Sequence, residues 1–259
     1  MVSKRLPAKQ IYARRRDYLD IAKARNAYYE QTGDGPLVGY AGKYTIGDGK
    51  EYNFVGRAYI NFAILKEYPH DDLDFTASAL SRKIKRTLPW KKLSSKVVFC
   101  AAPIGGYGLS VILGQKLRCR TIKAEKKVLE VGKDGKRDKT KLILDRHEIN
   151  EGDLVIIVED VCNNFSTTWD LIKLLESYGA TVIAIVCYLN RSPVFDRIYV
   201  SPDLTREFPI VALVRKQIDE FFQHDLRVAD DIARGNICWK PKKKEQWAIL
   251  MAAMKSKEP

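Results

Sequence analysis

The sequence predicts an α/β fold, with a mostly parallel central sheet that is flanked by helices. Residues 154–158 read Leu-Val-Ile-Ile-Val, an uninterrupted apolar run, and residues 181–189 form a second such run. Runs of this kind are typical of strands that are buried on both faces, as in parallel sheets. Between them, residues 168–178 carry apolar side chains at helical spacing and stop at Gly179. Strand, helix and strand in this order form a βαβ unit with a right-handed crossover.

Length, composition and charge indicate a globular protein with anionic partners. The chain has 259 residues, enough for a sizeable core, and its 46% hydrophobic and 10% aromatic residues exclude a disordered chain. Its 45 basic and 32 acidic residues give a net charge of +13. This excess suits ligands that are rich in phosphate, and it equally suits non-specific attraction to nucleic acid.

Cysteine usage and hydropathy predict a cytoplasmic protein with no membrane partner. The chain has no Cys-x-x-Cys spacing, and most of its cysteines lie in or beside apolar runs, so we expect free, buried thiols. The three histidines show no metal-ligand spacing. The N-terminus lacks the apolar core of a signal peptide, and no run approaches the roughly 20 apolar residues that a membrane span needs.

The chain divides into three predicted parts. Residues 1–36 form a basic, helical N-terminal extension, which is either a solvated helix packed across the domain or an arm for nucleic acid. Residues 37–215 form the α/β domain, and its segment 37–68 has glycines every few residues with aromatics between them, which predicts short strands and tight turns. Residues 216–259 form a C-terminal helical extension, whose basic run is either a linker or an anion contact.

A glycine turn follows another predicted strand. Residues 96–101 read as a buried strand, Ile104, Gly105 and Gly106 lie in the turn, and a helix is predicted over 109–117. Backbone amides in such a turn can approach a phosphate closely, although any turn between a strand and a helix could use these glycines. The remaining predicted elements are a helix over 75–88 and strands over 119–124 and 209–214.

The strongest functional signal follows the apolar run at 154–158. Glu159 and Asp160 end this strand, and buried strands seldom end in two acids unless they meet a ligand or solvent. Ser166, Thr167 and Thr168 then offer N-cap hydroxyls to the next helix, whose first amides form an anion site. Two acids beside such amides suit a sugar phosphate, whereas the alternative is that they are ordinary acids favoured by the helix dipole.

This strand, acid pair and hydroxyl-rich loop resemble the phosphoribosyl pyrophosphate (PRPP) motif of the type I phosphoribosyltransferases. The Glu-Asp-Val sequence is most similar to the orotate phosphoribosyltransferase branch. The resemblance covers roughly residues 37–215 and implies the type I phosphoribosyltransferase fold, with a small hood at 37–68. It also implies transfer of ribose 5-phosphate from PRPP to a pyrimidine or related nitrogenous base with release of pyrophosphate, Mg²⁺ as the cofactor, and a homodimer.

The resemblance further implies roles for individual residues. Lys123, Lys127 and Asp160 are the expected catalytic residues, with Asp160 also an indirect Mg²⁺ ligand, and Tyr44 and Thr45 are expected to bind the base. The basic segment 131–141 is either a lid over the ligand or a solvated hairpin tip. The expected PRPP contacts are Glu159, Asp160, Asn163, Asn164, Ser166, Thr167, Thr168, Ile104, Gly105 and Gly106.

The loop after the acids departs from the family pattern. Asn163-Asn164-Phe165 stands where the family usually has Thr-Thr-Gly or Thr-Ala-Gly. Because glycine adopts positive φ far more readily than phenylalanine, we expect either that Asn164 takes the left-handed conformation or that the phosphate site is altered or lost. The second case predicts a non-catalytic protein that senses PRPP or a nucleotide and contacts nucleic acid or a protein partner. Gly47 replaces a base-contacting lysine of the orotate branch, so a transferase for another base also remains open.

Overall fold

The computed structural model describes residues 18–47, 49–67, 69–130 and 139–255. By its internal contacts the chain forms two compact units, one made of residues 1–67 and 217–259 and the other of residues 68–216. The segment after residue 36 is thus grouped with both ends of the chain, and the division into three domains stays a prediction.

The described residues form the following elements. The strands are β1 (Tyr28–Glu30), β2 (Leu37–Thr45), β3 (Glu51–Gly56), β4 (Ala58–Ile60), β5 (Val97–Ala101), β6 (Arg120–Lys123), β7 (Glu125–Glu130), β8 (Lys139–Ile143), β9 (Leu154–Cys162), β10 (Thr181–Asn190), β11 (Ile198–Val200), β12 (Glu207–Arg215) and β13 (Ile237–Cys238). The α-helices are α1 (Tyr18–Ala24), α2 (Phe62–Lys66), α3 (Asp74–Thr87), α4 (Trp90–Leu93), α5 (Tyr107–Leu117), α6 (Ser166–Glu176), α7 (Ala229–Ala233) and α8 (Lys244–Lys255). Short π- or 3₁₀-helical turns cover Pro69–Leu73, Ser94–Lys96 and Leu226–Val228.

The unit of residues 68–216 is built on a six-stranded sheet in the order β11-β12-β10-β9-β5-β6. All neighbouring pairs are parallel except β11 and β12. The predicted α/β fold with a mostly parallel sheet is therefore confirmed. The order reverses between β5 and β9, because the chain goes from β5 outward to β6 and then returns to the other side of β5. Open parallel sheets bind their ligands at the carboxyl ends of the strands at such a reversal.

Helices cover both faces of this sheet. Leu171, Ile172 and Leu175 of α6 are buried with Val155 and Ile157 of β9 in one hydrophobic cluster. Helix α5 lies against β5, β6 and β9, and its buried leucines are not part of that cluster. Since side chains alternate between the faces of a strand, α5 occupies the face opposite α6. The two helices that follow β5 and β9 thus begin at the same edge of the sheet, on opposite faces.

The other unit combines both ends of the described chain. Strands β13, β2 and β3 form one small sheet, and β1 pairs with β4. The strands predicted within residues 37–68 are confirmed, whereas the helix predicted for the N-terminal extension is wrong at Tyr28 and Tyr29. Helix α1 ends at Ala24, and Asn26 has φ +53°, which redirects the chain. Both tyrosines are buried in a strand that pairs with β4, and this burial favours the strand over the helix that the apolar pattern predicts.

The cysteines are free thiols, as predicted, and all except the partly exposed Cys119 are buried. Within the described ranges, no helix combines the length and the apolar character needed to cross a membrane.

Candidate functional site

The turn after β5 lies directly on the end of β9, at the reversal of strand order. The amide of Ala102 donates to the carbonyl oxygen of Val158 at 2.9 Å. A Cβ atom on Gly105 would lie 2.3 Å from Cγ of Asp160, and one on Gly106 would lie 1.9 Å from the carbonyl oxygen of Val158. Position 106 therefore requires glycine, whereas a Cβ atom at position 105 would require the side chain of Asp160 to move. The structure brings Gly105, Gly106 and Asp160 together, and we call the space beside them the crevice.

Ile104 lies in the same turn and has a strained backbone. Its φ is +68°, and its side chain is 83% exposed. A β-branched residue in the left-handed region is a rare outlier, and such strain is concentrated at ligand sites. Burial of the side chain does not offset the strain here, so the path of the turn over β9 determines this conformation.

The two acids at the end of β9 lie in different environments. Oδ1 of Asp160 accepts a hydrogen bond from the amide of Val161 at 2.8 Å. Burial raises the pKa of Glu159 well above its ordinary value, the charge of Asp160 raises it further, and the nearby Lys126 lowers it. Glu159 is therefore the acid whose charge is disfavoured, although a neutral carboxyl still accepts a hydrogen bond through its carbonyl oxygen.

Replacing Glu159 with glutamine is expected to reduce the pH dependence of stability. Because the folded state raises the pKa of Glu159 above 4.5, it binds this proton more tightly than the unfolded chain does. That contribution to stability is present at low pH and is lost as the pH rises through the folded pKa. Relative to the wild type, Glu159→Gln should therefore gain stability as the pH rises from the ordinary pKa of a glutamate through the raised pKa of the folded state, as measured by urea unfolding. Parallel curves for the two proteins would contradict this, and Glu151→Gln, which changes an exposed carboxyl, is the control.

The loop between β9 and α6 corrects two of the sequence-based expectations. The residue in the left-handed conformation is Phe165, with φ +59° and ψ +14°, and not Asn164. Phe165 is also the N-cap of α6, so Ser166, Thr167 and Thr168 are its first helical residues rather than its caps. Instead, Oδ1 of Asn164 accepts hydrogen bonds from the amide of Ser166 at 3.2 Å and from its hydroxyl at 3.1 Å.

An aromatic cluster explains why phenylalanine holds this conformation. The ring of Phe165 is stacked on Tyr199 with centroids 4.8 Å apart and meets Phe195 edge-on at 5.4 Å. Phe195 and Tyr199 also contact each other at 5.0 Å, and Phe165 is only 3% exposed. Burying the ring is worth about 1.5–3 kcal/mol, and each of its two aromatic contacts adds about 0.5–1.5 kcal/mol, so together they exceed the roughly 1–2 kcal/mol that the left-handed conformation costs. The loop is thus rebuilt around a buried ring.

The two predicted catalytic lysines lie at different places. Nζ of Lys123 is 3.0 Å from Oε1 of Glu125 and 5.4 Å from the ring centroid of Tyr107, the first residue of α5. This hydrogen bond and ion pair lower the pKa of Glu125. Lys127 is exposed on β7, directly opposite Lys141 of β8. Of the predicted lid, residues 131–138 lie outside the described residues.

The predicted base-binding residues are in the unit of residues 1–67 and 217–259. The hydroxyl of Tyr44 accepts a hydrogen bond from the amide of Gln223 at 2.7 Å, and Thr45 is exposed. The ring of Tyr44 contacts an aromatic group made up of Tyr52, Phe54, Phe222 and His224. Their role in binding a base stays a prediction.

The unit of residues 68–216 contains a basic pocket that the sequence does not predict. Lys126, Lys141 and Lys173 line a space of about 420 Å³ between the β7–β8 hairpin and α6. Strand β7 has no apolar alternation, so the sequence did not show that it is a strand or which side chains face α6. Among the described residues, no three His, Cys, Asp or Glu side chains form a group that could hold a metal ion.

Comparison with known proteins finds similarity to phosphoribosyltransferases. No protein-family model matches the chain. It is 25% identical over 150 residues to the orotate phosphoribosyltransferase of Archaeoglobus fulgidus, a match that covers 58% of this chain and 73% of the relative. Among solved structures, the orotate phosphoribosyltransferase from Aeropyrum pernix matches with a TM-score of 0.46 and 17% identity, over 75% of this chain and 91% of the other. The adenine phosphoribosyltransferase from Thermoanaerobacter pseudethanolicus matches with a TM-score of 0.45 and 15% identity, over 67% of this chain and 94% of the other. By its sequence similarity, this chain is related to the type I phosphoribosyltransferases.

Proposed function

We propose that this protein is a PRPP-dependent phosphoribosyltransferase of the orotate type. It transfers ribose 5-phosphate to a pyrimidine or a related nitrogenous base and releases pyrophosphate. The observation that carries the proposal is the contact between the backbone of Gly105 and the carboxylate of Asp160, at the reversal of strand order. A carboxylate beside closely approaching backbone suits a ligand with both hydroxyl and phosphate groups. The sequence similarity to an orotate phosphoribosyltransferase supports the same reaction.

Catalysis of this reaction depends mainly on electrostatic stabilisation of the transition state by the protein. The transition state carries positive charge on the anomeric carbon and negative charge on the departing pyrophosphate. Asp160 orients the ribose hydroxyls as an acceptor, and its charge stabilises the cationic ribose. The amides at the start of α6 hold the 5′-phosphate, because they form the positive end of the helix dipole. Lys123 lies beside the glycine turn through Tyr107 and neutralises the pyrophosphate.

Mg²⁺ is proposed as the cofactor, with Asp160 as an indirect ligand. Asp160 supplies one carboxylate at the carboxyl end of β9. Mg²⁺ commonly keeps several waters and binds through one or two carboxylates together with substrate phosphates. When bound, it supplies positive charge that neutralises the pyrophosphate.

A homodimer is proposed as well. Lys127 is exposed on the hairpin, where it is available to complete the site of a second subunit. Size measurement in solution, with and without PRPP, tests this directly.

A second candidate function is non-catalytic sensing of PRPP or a nucleotide, coupled to contact with nucleic acid or a protein. It is favoured by the loop of Asn163, Asn164 and Phe165, in which a buried ring replaces the glycine of the family motif. To separate the two functions, the protein is incubated with PRPP, Mg²⁺ and a panel of bases, and pyrophosphate release is followed. Release with any base excludes the sensing function. PRPP binding without release, together with salt-sensitive binding of nucleic acid, excludes the transferase.

Replacing Asp160 with asparagine is expected to weaken PRPP binding roughly tenfold or more, because hydrogen bonds to a charged group are worth about 1.5–3 kcal/mol. Calorimetric titration of PRPP in the presence of Mg²⁺ measures the change. Glu151→Gln is a suitable control, since it removes an exposed carboxyl in the turn before β9, at the opposite edge of the sheet. Unchanged PRPP affinity in Asp160→Asn would show that the ribose does not bind at this carboxylate.

A further inference from the structure

The basic pocket lies wholly within the unit of residues 68–216. Lys126 and Lys141 come from the β7–β8 hairpin and Lys173 comes from α6, and the hydroxyl-bearing residues Thr140 and Thr167 lie among them. Its volume of about 420 Å³ is within the range of small-molecule sites, roughly 300–1,000 Å³. Lysine ammonium and threonine hydroxyl groups are the donors that bind phosphate groups.

The positive charge of the pocket is only partly compensated. Nζ of Lys173 is 2.9 Å from Oδ1 of Asp170, so that lysine has a partner. Lys126 lies near Glu159, whose pKa is raised by burial and lowered by the charge of this lysine. The residues that line the pocket are three lysines and one acid, Asp170, together with threonines and leucines.

The remaining walls of the pocket are apolar. Leu142 packs against the hydrophobic cluster under α6, and Leu129 is 53% exposed beside the lysines. An exposed leucine next to cationic groups favours a ligand with an organic body as well as phosphate. Apolar walls with a few convergent polar groups are typical of sites for small organic molecules.

The pocket and the crevice lie at different places along the carboxyl ends of the strands. The pocket takes Thr167, Asp170 and Lys173 from α6, a spacing of three residues that follows the side of the helix. The crevice lies where the turn before α5 meets Asp160, and α5 covers the opposite face of the sheet. Thr167, near the start of α6, is the one predicted PRPP contact among the residues that line the pocket.

We propose that this pocket is a second anion site, which binds a phosphorylated small molecule of nucleotide size. The site goes beyond the proposed transfer reaction, because occupying it requires neither PRPP nor a base.

The test titrates the full-length protein with ADP, without PRPP, by calorimetry. Lys126→Gln and Lys173→Gln are each expected to weaken ADP binding roughly tenfold, because each removes a charge-assisted hydrogen bond. Asp160→Asn is expected to leave this binding unchanged, and higher ionic strength should weaken it. Lys91→Gln is the matched control, since it removes one exposed lysine from α4, which precedes β5 at the amino edge of the sheet.

Two results would overturn the proposal. Undiminished ADP binding in both lysine variants would show that the pocket is not the anion site. Loss of ADP binding in Asp160→Asn as well would show one continuous site centred on the crevice. The proposed transfer reaction is judged separately, by pyrophosphate release from PRPP, so either proposal can fail without the other.

Discussion

Replacing Phe165 with alanine is expected to lower the free energy of unfolding by about 3–5 kcal/mol, the usual cost of removing a buried aromatic ring. The ring is 3% exposed and contacts both Tyr199 and Phe195. Each aromatic contact adds about 0.5–1.5 kcal/mol to the burial. Alanine also keeps the strain of φ +59°, because it too has a Cβ atom. Denaturant unfolding of the full chain measures the change.

Replacing Phe165 with glycine distinguishes the contribution of the ring contacts to stability from that of the backbone strain. Phe165→Gly loses the same contacts but takes the left-handed conformation without strain, so it should be about 1 kcal/mol more stable than Phe165→Ala. Arg118→Gly is the matched control, because Arg118 has φ +56° and is exposed, so only the backbone contribution changes. If Phe165→Ala cost less than about 1 kcal/mol, the aromatic cluster would not be what holds the loop.

The sequence predicted those elements in which one strong signal dominates. The apolar runs of β9 and β10 identified buried parallel strands, and the helical spacing between them identified α6. The glycines of the turn after β5 were predicted to let backbone amides approach a phosphate, and this stays a prediction. The structure shows which protein atoms approach them: Asp160 at Gly105 and the carbonyl oxygen of Val158 at Gly106. A glycine pair indicates that a Cβ atom would not fit at these positions, but it does not identify the neighbouring atoms that exclude it.

Other features depend on distant contacts that a local pattern does not contain. Phe165 holds positive φ because Phe195 and Tyr199, about 30 residues later, receive its ring. Strand β7 reads Glu-Lys-Lys-Val-Leu-Glu, and most of it is exposed, so it resembles a loop until β8 pairs with it. The basic pocket was missed for the same reason, since its lysines come together only through this pairing.

Replacing Gly106 with alanine is expected to cost about 3 kcal/mol or more in stability, at the upper end of overpacking effects. Its φ of −73° is ordinary, so the cause is space alone. The new methyl group would lie 1.9 Å from the carbonyl oxygen of Val158, which already accepts the amide of Ala102. That oxygen belongs to the backbone of a central strand and cannot move without breaking the sheet. Thermal and urea unfolding measure the loss, with Gly47→Ala as the control because nothing lies within 4 Å of a Cβ atom there.

Gly105→Ala is expected to weaken PRPP binding while causing only a small loss of stability. Its methyl group would lie 2.3 Å from Cγ of Asp160, a side chain that can rotate away at a smaller cost than a strand carbonyl. We therefore expect Gly105→Ala to fold with a loss nearer 1 kcal/mol and yet to bind PRPP at least tenfold more weakly, because the carboxylate has moved. Adding Asp160→Asn to Gly105→Ala should then weaken PRPP binding little further, since both changes act on one group. Fully additive losses would mean that the turn and the carboxylate contact the ligand independently, and that the crevice is not a single site.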